Sequence, residues 1–240
     1  MKKKLALILA GTAMAAMVLA GCGEKNNASG EDVKTAESVE DKKTFTVGFD
    51  AEYPPYGYMD ENGEYTGFDL ELAEAVCKLE GWELVKKPLN WDSKDMELNS
   101  GSIDCIWNGF TMNGREDDYT FSTPYVDNSQ VIVVAEKSGI DTLEDLAGKT
   151  VGVQAASAAL DLLKSEEEGG QKKLADTFGA LNEFADYNTA FTELQAGALD
   201  ALAIDVGVAN YQIKSRGEGY KILDETLNTE QYAIGFKKGN

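Results

Sequence analysis

The sequence predicts an α/β fold made of two similar lobes, and three observations carry that expectation. From Thr44 onward, short runs rich in β-branched and aromatic residues alternate with helix-like periodicity, the order of β-α-β units. A helix end, a glycine stop and a strand start occur twice. Glu97-Leu98-Asn99-Ser100-Gly101-Ser102-Ile103-Asp104-Cys105-Ile106 matches Glu193-Leu194-Gln195-Ala196-Gly197-Ala198-Leu199-Asp200-Ala201-Leu202 in chemical type, 96 positions on. Likewise Val47-Gly48-Phe49-Asp50 returns as Val151-Gly152-Val153-Gln154, 104 positions on. One such match is the common look of a helix-to-strand turn; two in the same order indicate a repeated unit.

In chain order, Met1 and three lysines precede an apolar stretch over residues 5–20, the layout of a signal peptide. Residues 22–43 are rich in Glu, Lys, Asn, Ser and Gly with no aromatic residue. Such a composition buries too little surface to offset ordering entropy and reads as a flexible tether. Residues 44–49 read as a strand. Residues 69–80 read as a helix capped by Asp69, with Leu72, Val76 and Leu79 on its buried face and Gly81 as its stop. A strand over 82–89, a helix over 93–100 and a strand over 103–108 complete the first unit. Thr142 with Asp145 forms a capping-box pattern, and a helix starts near Ala156. The crossings between lobes are expected at the Val-Ile-Val-Val run over 130–135 and at 231–236. Lobe one then comprises 44–130 with 232–240, and lobe two 131–231; two crossings make a hinge.

Composition removes whole classes of function. There is no histidine, which excludes imidazole bases, Ser-His-Asp triads and histidine-ligated metal. With 22 basic against 42 acidic residues the net charge is −20, which repels phosphate backbones, so no nucleic-acid partner is expected. Cys77 and Cys105 sit in apolar surroundings and read as core thiols, although a disulfide between them stays open. The acidic loop 60–63 lacks the spaced oxygen ligands of a calcium loop and reads as a hairpin turn, so no metal site is expected. In open parallel sheets ligands bind beyond the carboxyl ends of strands, which here are Asp50, Asn108-Gly109, Gln154 and Asp205.

Several motifs in order carry a resemblance. Gly48-Phe49-Asp50-Ala51-Glu52-Tyr53-Pro54-Pro55-Tyr56, Asn62-Gly63-Glu64-Tyr65-Thr66-Gly67-Phe68-Asp69, Phe121-Ser122-Thr123-Pro124-Tyr125 and Gly148-Lys149-Thr150-Val151-Gly152-Val153-Gln154 resemble the polar amino-acid substrate-binding proteins of ABC importers. The resemblance runs from about residue 44 to the end. It implies a two-lobed periplasmic-binding fold of type II, a free amino acid as ligand, a membrane permease as partner, and no cofactor. Leu19-Ala20-Gly21-Cys22 resembles a lipobox, implying a Cys22 lipid anchor on the extracytoplasmic face of a bacterial membrane.

By the same resemblance, Tyr53 and Trp91 wall the ligand and Asp50 approaches its side chain or ammonium. Thr111, the backbone around Asn108 and Gly109, and Arg115 hold the α-carboxylate with Ser157, and Asp205 takes the ammonium. The chemistry agrees, because a guanidinium fork matches a carboxylate and a buried acid beside aromatic faces suits a small cation. Three departures bear on it. The Thr111–Arg115 spacing is one residue short, Ala156 stands where glycine is usual, and Gln154 replaces the lysine of some members. Arg115 therefore either anchors the carboxylate or is solvated and paired with Glu116 or Asp117. The family also continues past the second crossing with further helices of lobe one, whereas this sequence stops at Asn240, so the resemblance implies a missing C-terminal part.

Two rivals remain. An enzyme on the same scaffold, similar to periplasmic dehydratases, would use Asp50 or Glu52 as a general acid, and a sensor would share the binding step. The expectation is a receptor rather than an enzyme, because recognition of an ammonium explains Asp50 and Asp205 without a reaction.

Overall fold

The computed structural model describes residues 43–217 and 219–240. The expected signal peptide, Cys22 anchor and tether, up to residue 42, lie outside the described residues.

Two sheets carry the fold. The first part of the chain runs β1 (Thr44–Phe49), β2 (Glu52–Tyr53), β3 (Gly57–Met59), β4 (Tyr65–Thr66), α1 (Phe68–Glu80), β5 (Glu83–Pro88), α2 (Lys94–Asn99), β6 (Cys105–Ile106) and β7 (Tyr119–Phe121). A long strand β8 (Val126–Ala135) leads into β9 (Thr150–Gln154), α3 (Ala158–Lys164), α4 (Lys172–Ala175), β10 (Ala180–Phe184), α5 (Tyr187–Ala196), β11 (Ala201–Asp205), α6 (Val206–Arg216), β12 (Tyr220–Ile222), β13 (Asn228–Tyr232) and β14 (Gly235–Lys237). The sheet of lobe one has the order β5-β1-β6-β14-β7; that of lobe two is β10-β9-β11-β8-β12, with β13 paired to β8.

The repeat seen in sequence is a repeat in space. In lobe one, α2 ends near Gly101, at φ 77°, and β6 pairs in parallel with β1, Cys105 opposite Val47. In lobe two, α5 ends at Gly197, at φ 76°, and β11 pairs in parallel with β9, Ala201 opposite Val151. Even the polar detail recurs: the Asp104 carboxylate accepts Thr46 N–H at 2.7 Å, and the Asp200 carboxylate accepts Thr150 N–H at 2.8 Å. An acid at each strand start thus closes the same backbone gap twice, a local use of charge–amide bonding.

The change of sheet falls earlier than the hydrophobic run suggested. Residues 131–135 pair with β11 or β12 inside the second sheet, with Val131, Ile132, Val133 and Val134 buried. The chain changes sheet over residues 122–125, between β7 and β8, and again over 233–234, between β13 and β14, while β8 and β13 run antiparallel beside each other, Val126 opposite Tyr232 and Gln130 opposite Asn228. Fully apolar runs mark a strand covered on both faces, which is a sheet interior and not a connector.

The helix α1 also differs from expectation. Its buried face is Leu70, Ala73 and Cys77, while Val76 and Leu79 face outward, Leu79 being 84% exposed. Gly67, at φ 129°, precedes the helix where Asp69 was expected, and a Cβ there would meet the Tyr56 carbonyl oxygen at 2.4 Å. Asp69 is instead buried inside the first turn. The core lies on both faces of each sheet, with Tyr187, Phe191, Ile204 and Tyr232 on one side of lobe two and Leu146, Val153 and Leu163 on the other. Cys77 and Cys105 are both buried and unbridged. The 60–63 loop is a hairpin turn between β3 and β4, with Asp60 accepting the N–H groups of Asn62 and Glu64.

Candidate functional site

The carboxyl ends of β1, β9 and β11 and the loop after β6 converge between the sheets. A small cavity of about 10 Å³ there is lined by Tyr53, Trp91, Gly109, Thr111, Arg115, Gln154, Ser157, Ala158 and Asp205. Eight of these nine are residues the sequence singled out. Hydrogen bonds from Gln154 to Asp50 and from Lys94 to the Ala156 carbonyl cross between the lobes beside it, so the lobes are in contact in this conformation. A chamber of about 660 Å³ adjoins it across Trp91 and is lined by Asp50, Glu52, Asp92, Glu97 and Asp186 among others.

Each side chain is positioned by its neighbours. Asp50 follows β1 and is buried; one oxygen accepts Glu52 N–H at 2.8 Å and the other accepts the Gln154 amide at 2.7 Å from the opposite lobe. Burial pushes its pKa up to about 6, against the pull of those two hydrogen bonds. Tyr53 packs on Tyr56 and Tyr187, with ring centroids 5.9 and 6.0 Å away. Trp91 stands edge-to-face on Phe110 at 5.8 Å.

Gly109 adopts φ 56°, and its N–H donates to the buried Asp69 carboxylate. Burial raises Asp69 to about 7, the Gly109 bond opposing it. Asn108 does not line the cavity: its amide is buried with no hydrogen bond among the described residues, and its oxygen crowds Gly57. The Thr111 hydroxyl donates to Glu230 at 2.7 Å, while Ser157 caps α3 by accepting Leu160 N–H at 3.2 Å.

Asp205 sits at the end of β11 in a network the sequence did not reveal. Its Oδ1 accepts from Tyr232 Oη at 2.7 Å, Gln130 Nε2 at 2.7 Å and Asn128 Nδ2 at 2.8 Å. The same two amides also donate to Glu230 Oε1, each at 2.8 Å. Burial first, then the Glu230 charge, raise Asp205 to about 6, with hydrogen bonds from Tyr53, Tyr232 and Gln130 pulling the other way. Two buried carboxylates held by shared amides leave a strongly negative spot at one end of the cavity.

Arg115 stands at that cavity with its guanidinium over the Phe110 ring, 5.1 Å from the centroid. It pairs neither with Glu116 nor with Asp117. It reaches across to Asp161 of α3 at 2.7 Å, its side chain 13% exposed and that of Asp161 64%. Lys94, Asp69, Asn128, Gln130, Asp161, Glu230 and Tyr232 complete the surroundings, and none was named as a site residue from sequence. The only signal for Asn128 and Gln130 was polarity at alternate positions just ahead of an apolar run. Among the described residues no group of three or more Cys, Asp or Glu is placed to hold a metal ion.

A two-lobed pair of sheets joined by adjacent strands, with a cation and a buried acid lining the cavity between them, has the layout of a solute-binding protein. Residues 45–239 match the bacterial extracellular solute-binding proteins, family 3, and the chain belongs to that family. It is 30% identical over 230 residues to the L-cystine-binding protein TcyJ of Escherichia coli (strain K12), covering 95% of this chain and 82% of the relative. It is 33% identical over 242 residues to the arginine-binding extracellular protein ArtP of Bacillus subtilis (strain 168), covering 99% and 87%. Among solved structures, an ABC uptake transporter substrate-binding protein from Streptococcus pneumoniae with bound histidine aligns with TM-score 0.76 and 35% identity, over 81% of this chain and 80% of that one. An ancestral arginine-binding protein bound to arginine aligns with TM-score 0.73 and 38% identity, over 83% and 86%.

Proposed function

We propose that this chain captures a free amino acid between its lobes and presents it, once shut, to the membrane permease of an ABC importer. The observation that carries the reading is the charge order of the interlobe cavity, with Arg115 on one lobe and Asp205 on the other. A zwitterion satisfies both at once, so its affinity is greater for the shut form and drives the hinge. In this reading Arg115 exchanges Asp161 for the α-carboxylate, Asp205 takes the ammonium, and Tyr53 and Trp91 cover the aliphatic part.

The side chain then projects past Trp91 into the chamber whose acids are Asp50, Glu52, Asp92, Glu97 and Asp186. That lining favours a basic side chain, in keeping with the arginine-binding relative and the arginine-bound ancestral structure. No step in this cycle makes or breaks a covalent bond, which separates it from the dehydratase reading. Cys22 anchors the chain by lipid to the outer face of the membrane, and residues 22–43 are its leash.

Calorimetry with L-arginine, L-histidine, L-glutamine and L-cystine, with agmatine as the analogue lacking the carboxylate, tests this. Binding of L-arginine with at least a hundredfold loss for agmatine is expected. Equal binding of the two overturns the Arg115 assignment, and turnover of any amino acid detected by mass spectrometry overturns the receptor reading.

A further inference from the structure

Lys94 opens α2 in lobe one and is 4% exposed, although it lines neither the cavity nor the chamber. Its ammonium donates to the carbonyl oxygen of Ala156 in lobe two at 3.2 Å and lies 5.2 Å from the centre of the Trp91 ring. Ala156 is unusual: among the described residues it is the one non-glycine with positive φ, 55°. Ser157 and Ala158, which follow it directly, line the ligand cavity, as does Trp91 beneath the ammonium.

We propose that Lys94 is a positioning residue of the ligand site, a cross-cleft clamp that fixes the β9–α3 turn of lobe two against Trp91 when the cleft shuts. Three physical effects act together at this contact. A left-handed alanine costs conformational energy and persists only where its surroundings hold it, and the Lys94–Ala156 bond is such a hold. A charged donor makes a stronger hydrogen bond than a neutral one, and a cation over an indole face adds to it. With the lobes apart, the ammonium and the Ala156 carbonyl belong to separate surfaces, so this bond exists only in the shut form.

Arg115 makes the parallel contact to Asp161 of α3. The two cations therefore grip the same stretch of lobe two, one through backbone and one through a side chain. They also repel each other: burial first, then Arg115, hold the Lys94 ammonium below its ordinary pKa, while Asp95, Asp161 and Asp92 oppose this. When Arg115 exchanges Asp161 for the ligand carboxylate, Lys94 keeps its hold on the Ala156 carbonyl, and so ties this turn to the shut form without touching the ligand. Interactions present only in the shut form slow its opening, so the effect falls on dissociation.

This inference rests on the amino-acid reading, and the experiment separates the two. The probe is whichever of L-arginine, L-histidine, L-glutamine and L-cystine the wild type binds tightest, followed by stopped-flow fluorescence of the full chain. Lys94→Met should raise the dissociation rate about tenfold, leave the association rate within twofold, and leave the ligand-free melting temperature within about 2 °C. Lys94→Arg, which can reach the same carbonyl, should restore most of the slow dissociation. An unchanged dissociation rate in Lys94→Met overturns the clamp, as does a lowered ligand-free melting temperature with unaltered kinetics. A wild type that binds none of the four overturns the amino-acid reading itself and the clamp with it.

Discussion

Replacing Asp205 by Asn should make the ligand-free protein more stable and the receptor far weaker, two effects of opposite sign from one atom. Asp205 is 3% exposed, and its Oδ1 already collects three donors, from Tyr232, Gln130 and Asn128. Burial and the nearby Glu230 charge raise its pKa from 3.8 to about 6. At 1.36 kcal/mol per unit, holding it ionised at pH 7.5 costs about 3 kcal/mol. The folded form keeps a proton that the unfolded chain has released between pH 4 and 6, so this group lowers stability as pH rises through that window. Asparagine keeps the Oδ1 acceptor and removes the ionisation. Allowing for an imperfectly placed amide, the ligand-free protein gains about 2 kcal/mol, a rise in melting temperature of roughly 4–8 °C for a chain of this size. The bound ammonium loses its buried counter-charge, which costs about 3–5 kcal/mol and thus a hundredfold or more in Kd. Thermal melts and calorimetry at pH 7.5 read both effects. An affinity within threefold of wild type, or a melting temperature below it, refutes the assignment.

The remaining predictions probe the same site from other directions. Asp69, raised to about 7, and Asp50, raised to about 6, join Asp205 in favouring protonation on folding. The ligand-free melting temperature should therefore climb as pH is lowered from 8 to about 5.5, while amino-acid affinity falls over the same range; melts and titrations at matched pH check the crossing. Arg115→Met should weaken binding by a hundredfold or more, whereas Asp161→Asn, which removes only the exposed partner, should change it less than threefold by calorimetry. In Gly109→Ala, a Cβ at φ 56° stands 3.0 Å from the Tyr53 and Tyr232 rings. This substitution should cost about 1–2 kcal/mol of stability in denaturant melts and weaken ligand binding together with it.

The parts of this molecule that were legible in sequence are those written in local chemistry. The repeat could be read because Gly101 and Gly197 hold the same left-handed turn and Asp104 and Asp200 the same backbone bond. Of the strand ends read as site positions, Gly109, Gln154 and Asp205 line one cavity, together with Tyr53, Trp91, Thr111, Arg115 and Ser157, which the family resemblance implied. What escaped depends on tertiary partners. Helix α1 offers two apolar stripes, and only the sheet beneath it selects Leu70, Ala73 and Cys77, with Leu72 partly buried beside them, over Val76 and Leu79. Asp69 has the look of a helix cap, yet its carboxylate is spent on Gly109, forty residues away in sequence. The apolar run ending β8 has the look of a connector, because a strand buried on both faces shows no alternation. Glu230 and Lys94 carry no local mark at all, since each acquires its role from a residue on another element, Asp205's network for one and Ala156 for the other.

The central claim is that the lobes shut on a zwitterion, and small-angle scattering of the protein with and without saturating L-arginine measures it most directly. The account predicts a smaller radius of gyration on ligand addition, abolished in Asp205→Asn and in Arg115→Met. A profile that stays the same while calorimetry reports tight binding would contradict it, because the ligand would then be held without bringing the two sheets together.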